Sequence, residues 1–398
     1  MRVQTSRCLS AVSDGGPAGQ PYLKWVGLRC RAAVTSIEHT REPRLRPRFG
    51  RTLLRVISLC LPFLFTGCAP EETPGSRTLD SQLFARAQVI GERGGGAGQF
   101  NKPRSVAVDG DDNIFVIDMT GRVQKFSPTG DYLLGWQMPE SDKGKAKGMG
   151  TDRDGNVLLV EPHYTRVNHF APDGKLLHQW GVNGTNAGQL IFPRAVAVAP
   201  DGAIWISEYA FAERLQKFTA DGSKVILTVG QPGAGPGEFH RAEGIGVDAA
   251  ERVYVADSCN HRIQVFSADG GFLRQYGRPG NQPGEMSYPY DIRVDAADRQ
   301  FVCEFGNSRI QVFDANDRLI EVLGGSGREP GQFNNPWSIA LDSQGNLIVA
   351  DSQNHRVQKL WRRKEVADGR WPKNRDRNLL AELDQAQSLT SHTPRLSP

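Results

Sequence analysis

An acidic residue followed four to six positions later by an arginine recurs six times along this chain. No other feature limits the fold as strongly. The acids are Asp118, Glu161, Glu208, Asp257, Glu304 and Asp351, at intervals of 43, 47, 49, 47 and 47 residues. Their arginines are Arg122, Arg166, Arg214, Arg262, Arg309 and Arg356. Each arginine opens a Val/Ile/Leu-x-x-Phe-like run, as in Arg262-Ile263-Gln264-Val265-Phe266, and Asp-Gly turns follow at Asp173-Gly174, Asp221-Gly222 and Asp269-Gly270. Gly91, Gly181, Gly230, Gly277 and Gly324 each stand eight residues before a Gln or Glu at 99, 189, 238, 285 and 332. Self-similarity at such a period means small units that bury their apolar faces only by stacking on their neighbours.

Each unit reads as four short strands. In the fourth unit they are 244–248, 253–257, 262–266 and 272–276, each about five residues rich in Val, Ile and aromatics and bounded by Gly, Asp or Asn. Four-stranded units in a ring predict an all-β, six-bladed β-propeller of antiparallel blades. The sixth unit stops after its third strand, at Leu360-Trp361, while a lone strand-like segment, 83–90, precedes the first unit. That N-terminal strand is expected to complete the last blade and close the ring, which removes an exposed sheet edge.

The sequence resembles NHL-repeat proteins. The resemblance is carried by Pro232-Gly233-Ala234-Gly235-Pro236-Gly237-Glu238-Phe239 with Val255-Ala256-Asp257-Ser258-Cys259-Asn260-His261-Arg262, and by Arg328-Glu329-Pro330-Gly331-Gln332-Phe333 with Ala350-Asp351-Ser352-Gln353-Asn354-His355-Arg356. It covers residues 83–361 and implies a six-bladed propeller. The second unit is the most divergent and lacks the glycine-rich leading loop.

The net charge of +4 is unevenly spread. Residues 1–68 hold 11 Lys/Arg against 3 Asp/Glu, and residues 362–398 hold 8 against 5, which leaves 69–361 at −7. An acidic body disfavours binding of polyanions through bulk charge, so no nucleic acid is expected as a partner. Residues 51–68, RTLLRVISLCLPFLFTGC, combine a basic start, an apolar run too short to span a bilayer and a terminal Phe-Thr-Gly-Cys. This resembles a bacterial lipobox, with Phe65 in place of the usual Leu, and implies lipidation of Cys68. The resemblance places the protein in the cell envelope as an outer-membrane lipoprotein facing periplasm or exterior. Residues 69–82 then form a tether. Residues 1–50 are Arg-rich without apolar period and are expected to be a non-native or disordered extension. The true start then lies at a non-ATG codon such as that of Val34, Leu45 or Leu53. Residues 362–398 read as a disordered charged tail.

Strand order puts the loop leading into each first strand and the loop between second and third strands on one face. These loops vary, and variable loops on a rigid scaffold are where binding usually resides. Six copies of one acid–Arg pair point to a structural role, each locking a loop by charge-assisted hydrogen bonds. A ring of carboxylates holding a cation such as calcium is the other reading. The asymmetric positions are the better binding candidates. Arg104, Lys147, Arg194, Glu243, Tyr290 and Trp337 begin the six first strands and should ring the channel mouth. Three cations, one acid and two aromatics suit a ligand with an anionic end and an apolar or sugar-like end. Tyr209, Phe305 and His240 extend this rim.

Some relatives of this propeller class, such as peptidyl-amidoglycolate lyase, use zinc held by histidines in the channel. That chemistry would need His163, His240 and others to converge on one ion. Their registers differ, and His261 and His355 belong to the repeated Asn-His-Arg. No cofactor is therefore expected, with zinc or calcium the possibilities to test. No P-loop, dinucleotide fingerprint or HExxH helix is present. The reading is a monomeric, membrane-anchored scaffold that binds a protein, peptide or glycan, with the metal-dependent lyase as the alternative. Cys303 should be a small core residue, and a pairing with Cys259 is sterically doubtful.

Overall fold

The computed structural model describes residues 75–364. The signal-like segment with Cys68, the N-terminal extension and all but the first residues of the charged tail lie outside the described residues. Six antiparallel sheets follow one another in the order the repeat predicts. Blade 4 has strands Ala242–Val247, Val253–Asp257, Arg262–Phe266 and Phe272–Tyr276. The innermost strands of the other blades are Pro103–Val108, Gly148–Thr151, Pro193–Val198, Pro289–Val294 and Ile339–Leu341.

Every second strand is buried along its whole length, as in Val253–Asp257 and Leu347–Asp351. These strands have a neighbouring blade on each side, which explains their continuous apolar runs. The core accordingly lies between blades. One cluster joins Tyr254, Ala256, Ile263 and Val265 of blade 4 to Ile292, Val302 and Phe313 of blade 5. Outer strands are polar or exposed, as the Phe272–Tyr276 strand shows.

Ring closure follows the expected route. Phe84–Ile90 pairs antiparallel with Arg356–Arg362, the third strand of blade 6. Leu83 and Phe84 are fully buried, and the Phe84 ring meets Phe301 of blade 5 edge-on at 6.3 Å. The fold also reaches further back than the boundary at residue 83. Ser76–Thr78 adds a fifth strand to this blade against Thr78–Arg86-register partners Arg86, Ala87 and Gln88, so part of the expected tether is folded onto the sheet edge. Leu79 packs on the same core.

The acid–Arg pairs all form, and each does more than lock its own hairpin. Asp257, with no exposed side-chain surface, binds Arg262 at 2.8 Å. The Arg262 guanidinium then donates to three carbonyls of the leading loop, Ala234 at 2.7 Å, Gly235 at 2.8 Å and Glu238 at 2.9 Å. The same fan recurs from Arg309, Arg356 and Arg214. Arg122 repeats it on Gly95, Gly96 and Gln99. Arg166 binds Glu140 instead, because blade 2 lacks the glycine-rich loop. A glutamine two residues after the arginine completes the lock: Gln264 donates to the Glu238 carbonyl at 2.7 Å and accepts from the Gly237 N–H at 2.9 Å. The loop in turn seats a buried side chain, Phe239, against Gly230, whose φ of +95° and contact with that ring leave no room for a Cβ.

A second device links blade to blade. The side chain of a left-handed residue in one 2–3 loop accepts the N–H of a left-handed residue leading into the next blade. His261 Nδ1 accepts from Tyr288 at 3.2 Å, and His355 Nδ1 from Lys102 at 3.2 Å. Glu213 accepts from Arg241 at 2.6 Å, and Ser308 from Asn335 at 3.1 Å. Burial, with Arg93 and Lys102 nearby, lowers the pKa of His355 and favours the neutral ring that this bond requires. Cys303 is a fully buried strand residue of blade 5, and both it and Cys259 are free thiols.

Asp257→Ala would strip a buried arginine of its counter-ion and free the leading loop. Removing one partner of such a pair costs about 3–5 kcal/mol. The variant should show a lower urea midpoint than the native protein, with loss of protection at the Gly235–Glu238 amides in hydrogen exchange.

Candidate functional site

The first strands run from the loop-bearing face down the central channel, so their opening residues must meet at its mouth. Arg104, Lys147, Arg194, Glu243, Tyr290 and Trp337 all line one depression there. It encloses about 30 Å³, room for roughly two waters, which is the size of a carboxylate rather than of a whole ring. Below it the channel widens to about 220 Å³, lined by Val106, Met149, Val196, Ile245 and Val294. Arg293 borders both spaces, held by Asp291 at 2.7 Å and by the Ile245 carbonyl at 2.9 Å.

The cations and aromatics of the mouth do not face each other across a gap. They are stacked. The Arg104 guanidinium lies 4.6 Å over the Trp337 ring, and that of Arg194 lies 5.6 Å from Trp337 and 5.9 Å from Tyr290. Tyr290 is stacked on Phe305 at 4.4 Å, with Trp337 against both. Glu243, only 2% exposed, is taken by ion pairs with Arg194 and with Arg241, the latter at 2.7 Å. The mouth is therefore positively charged within an acidic body.

Three buried donors here have no acceptor: Arg104 Nε, Arg194 Nη1 and Trp337 Nε1. Arg194 is 4% exposed. Burial, then Arg194, brings the Arg104 pKa down to about 10. Lys147 is brought down to about 7 by burial first, then by Arg194 and Arg104. Its amine lies 3.4 Å from the Tyr209 hydroxyl, which burial keeps protonated.

Arg241, Phe192 and Phe211 escaped the sequence reading. The loop after Glu208 is one residue longer than its counterparts and carries Tyr209 and Phe211 in place of Ser and Asn. Phe211 is 71% exposed and sits 6.0 Å from the Phe192 ring, which also contacts Tyr209 and His163. That lengthened loop was the legible signal.

The histidines are placed differently from a metal centre. His163 and His240 are exposed, while the rings of His261 and His355 are occupied with backbone amides of the next blade. Among the described residues, no three His, Cys, Asp or Glu side chains gather at metal-binding distance. The donor set that a channel-centred zinc would need does not fit these residues.

Lys147→Met should expose the cost of this half-buried charge. Over the window from about 7 to its ordinary value near 10.4, the unfolded chain holds a proton on Lys147 that the folded chain has lost. Native stability gains on the variant as pH rises through that window and loses as pH falls to 7. Urea midpoints at pH 6 and 9.5 should show the variant favoured at pH 6 and its advantage shrinking at 9.5.

Residues 239–266 and 333–360 match the NHL repeat family. Each match starts at the buried leading-loop phenylalanine and runs to the third strand of its blade. Among curated proteins, the chain is 28% identical to NHL repeat-containing protein 3 of Mus musculus over 181 residues, 42% of this chain and 52% of that protein. It is 25% identical over 155 residues to peptidyl-glycine alpha-amidating monooxygenase B of Xenopus laevis, 37% of this chain and 16% of that protein. The chain thus matches about half the length of the first relative and far less of the second. Among solved structures, a gluconolactonase from Xanthomonas campestris superposes with a TM-score of 0.53 at 15% identity, over 74% of this chain and all of that one. A Bacteroides thetaiotaomicron protein of unknown function gives 0.54 at 15% identity, over 70% and 76%. At these identities the likeness is one of fold. The chain thus carries segments that match the NHL repeat, set in a β-propeller of six blades.

Proposed function

We propose that this propeller is a binding scaffold of the cell envelope, held at the outer membrane by a lipid on Cys68, and that its channel mouth takes an anionic group of a protein, peptide or glycan partner. The observation that carries this reading is the set of three unpaired buried donors, on Arg104, Arg194 and Trp337, in a mouth whose two carboxylates, Glu243 and Asp291, are both held in ion pairs. A buried donor without an acceptor is costly, and a carboxylate offers the acceptors that are missing. The exposed ring of Phe211, backed by the half-buried Phe192 and Tyr209 beside Lys147, gives an apolar or sugar face somewhere to lie.

The test is calorimetry of the propeller against carboxylate-bearing peptides and acidic oligosaccharides, together with recovery of partners from envelope extracts. Arg194→Gln should weaken binding by about 2 kcal/mol or more, roughly thirtyfold, as expected when one side of a buried charged contact is removed. Affinity should also fall as pH rises above about 7, because Lys147 then loses the charge that the anion attracts. Unchanged recovery of every partner from the combined Arg104, Arg194 and Trp337 alanine variant would sink the rim. Cys68→Ser should move the protein from the membrane to the soluble fraction; if it stays with the membrane, the lipid anchor is wrong.

A further inference from the structure

The two buried lysines of the ring, Lys359 and Lys217, and the half-buried Lys125 each have a carboxylate. Lys359 binds Asp342 at 2.7 Å, Lys217 binds Asp201 at 3.0 Å and Lys125 binds Asp109 at 3.3 Å. Lys147 has none. Two carboxylates border its pocket, and both are taken: Glu243 by Arg194 and Arg241, Asp291 by Arg293. What surrounds the amine is cationic or neutral. Arg104 and Arg194 share the pocket, Arg241 and His163 lie close by, and the amine donates to the Tyr209 hydroxyl at 3.4 Å. A lysine desolvated beside other cations is the arrangement that makes an amine nucleophilic at neutral pH.

We propose that Lys147 is a nucleophilic amine that captures the carbonyl carbon of a small aldehyde or 2-oxo acid as an imine. The neutral amine adds its lone pair to the carbonyl carbon, and the C=O π pair moves to oxygen. Tyr209 is placed to protonate that oxygen, and the nitrogen returns a proton as the carbinolamine forms. Loss of water then gives the imine, so that amine and carbonyl become imine and water with no change of oxidation state. A carboxylate on the substrate would lie on the free donors of Arg104 and Arg194 and would offset the positive charge of a protonated imine. The carboxylate part rests on the anion-binding reading above; the amine part does not.

The size of the effect follows from two opposing factors. At pH 7 about half of Lys147 is unprotonated, against roughly 1 in 2,500 of an ordinary lysine. A less basic nucleophile is intrinsically slower, by a Brønsted slope of about 0.4–0.5 if amines follow thiols, which returns some thirtyfold of that gain. The net expectation is about tenfold or more over an exposed lysine.

The experiment treats the whole protein at pH 7 with acetaldehyde or with glyoxylate in the presence of cyanoborohydride, and maps the alkylated lysines by mass spectrometry. Lys147 should be modified at least about tenfold faster than the exposed Lys175 and Lys224. The glyoxylate-to-acetaldehyde ratio at Lys147 should exceed that at Lys175. Lys147→Arg should remove the fast site and leave the others as they were. Labelling of Lys147 no faster than Lys175 with either aldehyde overturns the inference, whatever binds at the mouth. Fast labelling of Lys147 with the same ratio as at Lys175 upholds the amine and overturns the anion-binding reading.

Discussion

The arginine that answers each blade's buried acid is the contact on which the rest depends. It ties the glycine-rich loop leading into the blade to the end of the second strand and the start of the third. The loop has few apolar groups and many free carbonyls. Without donors those carbonyls would need water, and the loop could not lie flat over the blade. Arg262 and Gln264 supply the donors, and Asp257 pairs with the guanidinium where little solvent reaches it. Blade 2 shows the dependence from the other side. Its leading loop lacks the glycines, and its arginine turns to Glu140 instead.

With the loops pinned, the blades can be joined by single hydrogen bonds between neighbouring loops. The side chain that provides them differs, His at two interfaces, Glu and Ser at others, but the geometry is the same. Both partners have positive φ, which aims one backbone N–H at the next blade's side chain. The Nδ1 atoms of two histidines on the loop-bearing face are taken up in this way. Closure by Phe84–Ile90 completes the ring, and the short strand Ser76–Thr78 covers the edge that closure would otherwise leave bare.

A symmetric frame leaves function to the residues that break the symmetry. The mouth is built from one residue per blade, each different in kind. Stacking of Arg104 and Arg194 on Trp337 and Tyr290 uses the faces of the cations, and Glu243 uses the edge of Arg194. The donors left over point to a small acceptor, and the unpaired Lys147 stands beside them. The chemistry of the site therefore comes from what the pairing leaves unsatisfied.

Much of this was legible in the sequence. Second, third and fourth strands of blade 4 fall at the residues that their apolar runs indicated, and only the first strand starts two residues earlier, because Ala242 pairs with Asp257 across a bulge. The role of Gln264 could have been found, since a glutamine follows five of the six arginines at the same distance. The six rim residues could be placed at the mouth because strand order fixes which end of each first strand faces the loops. Their partners could not. Periodicity assigns a residue to a strand, a face and a height, whereas pairing depends on side chains brought in from other blades. So the repeat by itself determined the ring, its closure and the six residues at its mouth. Only the tertiary structure decided that Glu243 is neutralised, that the arginines lie on the aromatics and that Lys147 is left without a counter-ion. The physical reason is that desolvation and charge pairing are properties of the assembled mouth and of no segment that contributes to it.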